Sequence, residues 1–242
     1  MKVLRLVKNE IKADLKANGL LWMLLVSFAF GFIWILRTPQ EFTMYELQGE
    51  YFRGFFFVSL FMSGYLLSKH LEKGTIKYQL SSVSDRSSIW NAKIIAVICY
   101  AVMFWLLSCV YGLILVAKGA VEFNFFEVFS PQRLAAYILT DIVLVTFAYL
   151  LSLFIKNKFM IEIIMLFLWG IPYQLLPFFM YYEGFEKSFT DSLKEKLVYV
   201  PQYDIVSWIV DNSFTISSVL IVIGFSLIFN TIAAIKFKKL EV

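Results

Sequence analysis

The side chains able to do chemistry in this 242-residue chain are few and widely spaced. It has one histidine, His70, and two cysteines, Cys99 and Cys109. The cysteines stand ten residues apart in one apolar run, about 15 Å along a helix, so they cannot bridge to each other within it. A disulfide framework, a thiol-based metal site and most His-dependent catalysis therefore lack support. HExxH and GxSxG are absent, as is the phosphate-cradling pattern GxxxxGK[ST]. Two acids, Asp141 and Glu162, sit inside apolar runs. Glu162 follows Lys158 by four residues, the spacing of an ion pair on a helix surface. Asp141 lies midway along its run, where a charge is costly and often functional. It either lines a translocation path or is a buried acid, protonated or not, bonded to a neighbouring helix. An intramembrane enzyme centred on Asp141 has no second catalytic partner that the sequence names. His70, beside Lys69, reads as an interfacial residue.

The elements that must position these groups are apolar to a degree that excludes an ordinary globule. Hydrophobic residues make up 60% of the chain and charged residues only 17%, too little polar surface to solvate a body of this size. The expected fold class is all-α, a polytopic membrane protein with a single transmembrane domain over 1–242. Six apolar runs are long enough for a ~30 Å hydrocarbon core: about 20–36, 54–69, 94–117, 134–155, 159–179 and 214–235. Basic residues alternate with them. The segments before the first run, between the second and third, between the fourth and fifth, and after the sixth hold 15 of the 22 Lys and Arg. By the positive-inside rule, both termini are then cytoplasmic and the protein spans the plasma membrane repeatedly. The net charge of +4 follows this placement and does not point to nucleic acid.

Residues 1–19, MKVLRLVKNEIKADLKANG, are not a span. Leu4, Val7, Ile11 and Leu15 recur at helical spacing beside a stripe of Arg5, Lys8, Lys12 and Lys16. That pattern predicts a helix lying in the cytoplasmic interface. The other reading, the n-region of a cleaved signal peptide, lacks a small-x-small site before a polar start. In the fifth run Gly170, Pro172 and Pro177 predict that the helix ends or kinks near Ile171. Some 30 residues of mixed charge and aromatic character follow, consistent with short helices at the outer face.

The longest polar segment, residues 70–93, reads HLEKGTIKYQLSSVSDRSSIWNAK. A loop between spans needs only a few residues, and this one interleaves Leu71, Ile76, Leu80, Val83 and Ile89 with charges. The positive-inside rule alone would account for a solvated basic loop. The run Glu72, Gly74, Thr75, Lys77, Leu80, Arg86, Ile89, Lys93, however, resembles the cytoplasmic loop after the second span in permease subunits of the ABC-2 type transporter family. Many members have proline where this chain has Val83. The resemblance extends to the layout: an amphipathic N-terminal helix, six spans, an interrupted fifth span with a helical outer loop, and a cytoplasmic C-terminus.

What the resemblance implies is specific. Residues 72–93 would form a coupling helix seated in a cleft of an ATP-binding cassette ATPase subunit. Gly74 would allow a sharp exit from the second span and Thr75 would cap the following helix. Arg86 and Lys93 would pair with acids on that partner or with lipid phosphates. No cofactor would bind this chain; ATP and Mg would sit on the partner subunit, and the chain itself would not be an enzyme. The permease would work as a homodimer or with a similar permease, in contact with membrane lipid, exporting an amphipathic peptide or another hydrophobic substrate. Two other classes stay open on the residues alone: an ion- or proton-coupled carrier using Asp141, and a non-transporting membrane protein that recruits or senses partners.

Overall fold

A computed structural model describes residues 2–16, 19–37, 43–72, 86–155, 157–181, 197, 199–210 and 213–239. Among these the secondary structure is helical, with no strand. In chain order the helices are α1 (Lys2–Lys16), α2 (Gly19–Arg37), α3 (Met44–Glu72), α4 (Arg86–Ala117), α5 (Phe125–Val128) and α6 (Pro131–Ser152). Then come α7 (Lys158–Met165), a π-helical turn (Leu166–Gly170), α8 (Ile171–Tyr181), α9 (Pro201–Val210) and α10 (Ile216–Lys238).

Helix boundaries follow local chemistry. Ser130 caps α6 by accepting from the Arg133 N–H, and Pro131 at the first helical position forgoes a donor that would have had no partner there. Asn157 accepts from the Phe159 and Met160 N–H groups to start α7. Thr215 and Ser218 form a reciprocal capping box at the start of α10.

Among the described residues, four helical stretches are long and apolar enough to cross a membrane: Arg86–Ala117, Phe125–Ser152, Lys158–Leu176 and Ile216–Lys238. A bent pair, Val3–Lys16 with Leu21–Ile33 at 68°, would make a fifth. The last four of the six apolar runs fall on the four stretches. The first two fall on α2 and α3. In α3 a charge-free centre, 54–68, is flanked by Glu46, Glu50 and Arg53 on one side and by Lys69 and Glu72 on the other.

Helix α6 is the hub, packing against α3, α4 and α10, while α1 lies on α4, and α2 on α3. Because α6 is covered on several sides, Ala136, Tyr137, Val143, Leu144, Val145 and Ala148 are all buried, the pattern of a helix enclosed by others. Its aromatic contacts join three helices: Tyr137 lies 4.6 Å from Phe52 and 4.4 Å from Phe55, and Phe55 lies 5.1 Å from Phe104, centroid to centroid. The α2–α3 contact depends on the absence of side chains. A Cβ on Gly54 would stand 2.9 Å from the Phe30 Cβ, and one on Gly31 would stand 2.8 Å from the Tyr51 ring. Small residues of this kind let apolar helices approach closely in a bilayer. Leu21, Leu25, Val26 and Ile33 on α2, and Leu220, Leu227, Ile228 and Ile232 on α10, are exposed, an apolar exterior that hydrocarbon suits and water does not.

Candidate functional site

Three places gather the polar groups: the seam between α1 and the first turns of α4, the interior of the α3–α6 contact, and the interrupted helix formed by α7, the π-turn and α8.

At the first, Lys93 is 2% exposed and its Nζ lies 2.7 Å from Glu10 Oε1 of α1. Two turns further along α4, the Tyr100 hydroxyl donates to Asp14 Oδ2 at 2.6 Å. Trp90 Nε1 donates to Asn230 Oδ1 of α10 at 2.8 Å, and its ring meets Tyr149 and Phe237. Arg86 Nη1 donates to the Lys238 carbonyl at 2.5 Å, capping a C-terminal carbonyl of α10 with a cation. This end of the bundle therefore ties α1, α4, α6 and α10 together.

The geometry revises part of the sequence expectation. Lys93 does not reach outward to another protein's acids or to lipid phosphates; it is bonded to Glu10 of its own chain. The reason is its register: Lys93 shares the inward face of α4 with Ile89, Ala96 and Tyr100, all buried, and a cation placed there must be paired to be tolerated. Ile89 is likewise core. Glu72 is the last residue of α3, and Gly74, Thr75, Lys77 and Leu80 lie outside the described residues, as does Val83.

The orientation of α1 also differs from the expected stripe. Val7 and Asp14 are buried, and Val3, Leu6, Glu10 and Ile11 are half-buried against the bundle. Leu4 and Leu15, expected on the same face as Val7 and Ile11, are 69% and 42% exposed. Helix α1 turns its two acids inward because Lys93 and Tyr100 wait there. That rotates the apolar stripe and leaves its two ends outside with Arg5, Lys8, Lys12 and Lys16.

At the second place Asp141 is fully buried, with neither carboxyl oxygen hydrogen-bonded. Ser59 of α3 stands against it, a hydroxyl donor from the neighbouring helix that falls short of close hydrogen-bond geometry. Thr140 Oγ1 and the Tyr137 hydroxyl are two further buried polar atoms of α6 without a close hydrogen bond. Of the two readings of Asp141, the structure shows the burial and a facing hydroxyl from the neighbouring helix. Among the described residues no group of three or more His, Cys, Asp or Glu could hold a metal ion. Cys99 and Cys109 are free.

At the third place, where the helix is expected to end or kink near Ile171, the helical path continues as α8 through Pro172 and Pro177 to Tyr181. The irregularity is taken up one turn earlier, where Leu166–Gly170 widen into a π-turn and the Ile171 N–H bonds to the Leu166 carbonyl. Pro172 has no N–H to give to the carbonyl four residues before it, that of Leu168. Gln202 Nε2 of α9 supplies the missing donor at 3.0 Å. Helix α9 is in turn tied to α10 by Trp208 Nε1 donating to Ser218 Oγ at 2.8 Å. Proline spacing in the sequence signals the orphaned carbonyl; nothing in the sequence singles out Gln202 as its partner. Lys158 and Glu162 pair at 3.2 Å across one helical turn, as their spacing predicts.

A cleft of about 700 Å³ opens where α3 begins and α4 gives way to α5, lined by Thr43, Tyr45, Glu122, Phe123, Phe125 and Glu127 among others. Arg133 braces it from beneath, with Nη2 donating to the Tyr45 carbonyl at 2.6 Å and the guanidinium 5.2 Å from the Tyr45 ring centroid.

Comparison with family models finds no match, and comparison with curated proteins finds none either. The functional reading therefore rests on the residues and their geometry.

Proposed function

We propose that this chain is the transmembrane permease subunit of an ATP-binding cassette exporter, moving an amphipathic substrate, most naturally a peptide, out of the cell with ATP hydrolysed on separate subunits. In this reading the six apolar runs are six spans, both termini are cytoplasmic, and two copies, or this chain and a similar permease, enclose the path in the plasma membrane. The segment from Glu72 to Arg86 then meets the ATPase subunit.

One observation carries the reading: how the segment between α3 and α4 is attached. Its far end enters α4 at Arg86, which holds the end of α10, and two turns on Lys93 holds α1. Its near end is α3, which shares the hub α6 with α4 and α10. A force applied to residues 73–85 would reach α3 and α4 directly along the chain, and α10 and α1 through short polar contacts, as ATP-driven motion of a partner requires. Loops that only join spans need no such anchorage.

A tagged copy purified in mild detergent from its native membrane is expected to bring down an ATP-binding protein, and Glu72→Ala and Arg86→Ala are expected to abolish transport. Transport that survives both changes, with no ATP-binding protein recovered, rejects the proposal. The second reading, an ion- or proton-coupled carrier, draws on the unpaired burial of Asp141; transport that needs a proton gradient but not ATP would establish it instead. An efflux or susceptibility assay with candidate cargo identifies the substrate.

A further inference from the structure

Helix α1 carries five cations, Lys2, Arg5, Lys8, Lys12 and Lys16, and two acids, and the bundle separates the acids from the last four cations. Glu10 is bonded to Lys93, and Asp14 to Tyr100. Arg5, Lys8, Lys12 and Lys16 are all exposed. At 3.6 residues per turn, positions 4, 5, 8, 12, 15 and 16 fall within an arc of about 120°. The outward face of α1 is therefore two exposed leucines, Leu4 and Leu15, along one edge and four cations beside them, with no acid among them. The adjoining exposed positions are Asn9 and Ala13, both uncharged.

We infer that this face binds anionic phospholipid headgroups of the leaflet it touches, with preference over zwitterionic lipid. Helix α1 meets the apolar α2 at 68°, an angle that suits a helix lying along a bilayer surface when α2 lies across it. Leucines that enter the acyl boundary and long basic side chains that reach phosphates are the chemistry of an interfacial helix. Each Lys or Arg held near an anionic surface contributes about fivefold in affinity. An acid on the same face would cancel one such contribution, and here both acids of α1 are turned inward and bonded. A protein partner is the less suited occupant, because the face offers no large apolar anchor beyond two leucines at its edge. This inference does not rest on the export proposal, since it needs only the fold of α1 on α4 and the bilayer.

The test uses the full chain purified in mild detergent and titrated separately with phosphatidylglycerol and with phosphatidylcholine of the same acyl chains, bound lipid being counted by native mass spectrometry. Phosphatidylglycerol is expected to bind at least about tenfold more tightly. The variant R5Q/K8Q/K12Q/K16Q is expected to bring the two lipids to near parity, while K158Q/K236Q/K238Q/K239Q, which removes the same number of charges elsewhere, keeps the preference. Hydrogen exchange on the unaltered chain in nanodiscs gives an independent reading that no folding defect can confuse: residues 2–16 should exchange more slowly with phosphatidylglycerol present than with phosphatidylcholine alone. Equal binding of the two lipids, a preference that survives in the first variant or is lost in the second, or exchange indifferent to lipid charge would overturn the inference. Protection of residues 2–16 that appears only with a co-purifying protein would also overturn it, in favour of a protein interface.

Discussion

Two seams of the bundle each bury a charged residue type, and they treat it in opposite ways. Between α1 and α4, Lys93 is 2% exposed and meets Glu10 at 2.7 Å. Between α3 and α6, Asp141 is 0% exposed and faces the neutral Ser59 hydroxyl, short of close hydrogen-bond geometry. The first arrangement is what a structural ion pair needs: desolvation offset by a close opposite charge. The second leaves a buried carboxyl facing a neutral hydroxyl, which offsets less of its desolvation than an opposite charge would. Burial alone therefore does not separate structural from functional charges in this chain; the partner does. By that criterion Lys93 holds the fold together, and Asp141 is the group left available for a function or a bound water.

The largest expected effect breaks the first seam. Lys93→Met removes the cation bonded to Glu10 at a mostly buried position and is expected to cost about 3 kcal/mol, read as a marked fall in the thermal midpoint of the detergent-solubilised protein. Adding Glu10→Leu should restore most of that stability, because replacing both partners removes the uncompensated charge. If the double change is as damaging as the single one, the pair is not what fastens α1.

Next in size is the third polar contact, Gln202 on the Leu168 carbonyl. Gln202→Leu returns that carbonyl to the unsatisfied state Pro172 imposed, for an expected loss of about 1–2 kcal/mol. Faster hydrogen exchange across α9 would register it. An unchanged exchange pattern would mean that the π-turn satisfies its own carbonyls.

Asp204 of α9 extends the comparison to an unpaired acid outside the apolar stretches. It is buried, and burial raises its carboxyl from the ordinary 3.8 to about 7. Between those values the folded chain holds a proton that the unfolded chain has released, so stability falls as pH rises from about 4 to about 7 and is level above. The protein should melt at higher temperature at pH 5 than at pH 8, and Asp204→Asn should flatten that difference. A slope of the opposite sign would show that Asp204 finds a cation.

The smallest stability effect belongs to Asp141. With no ion pair to lose, and an amide oxygen still able to accept from Ser59, Asp141→Asn should change stability by under about 1 kcal/mol. A transport defect without a fall in melting temperature would separate its role sharply from that of Lys93. A loss comparable to Lys93→Met would put Asp141 in the structural class and remove the contrast between the seams.

Much of the architecture was legible because it is local. Apolar runs announce helices that suit a bilayer, a four-residue spacing announces the Lys158–Glu162 pair, and Pro172 announces a missing donor. The stripe on α1 was legible only as a period. Leu4, Val7, Ile11 and Leu15 read as one face, yet the bundle takes Val7 and Ile11 and leaves Leu4 and Leu15 outside, since the acids beside them had partners to meet. The polar segment 70–93 was read as one contact surface for another protein, while its last residue is bonded within the chain.

The sequence by itself determined the helical class, the apolar stretches, the placement of basic residues along the chain and the irregularity ahead of Pro172. Each depends on neighbours within a turn or two, or on composition. Only the tertiary structure decided that Lys93 belongs to Glu10, that Gln202 answers the Leu168 carbonyl, and that Asp141 faces Ser59 and no cation. The paired groups stand 83 and 34 residues apart in the chain, and no local period encodes which of several distant polar groups packing will bring within hydrogen-bond reach.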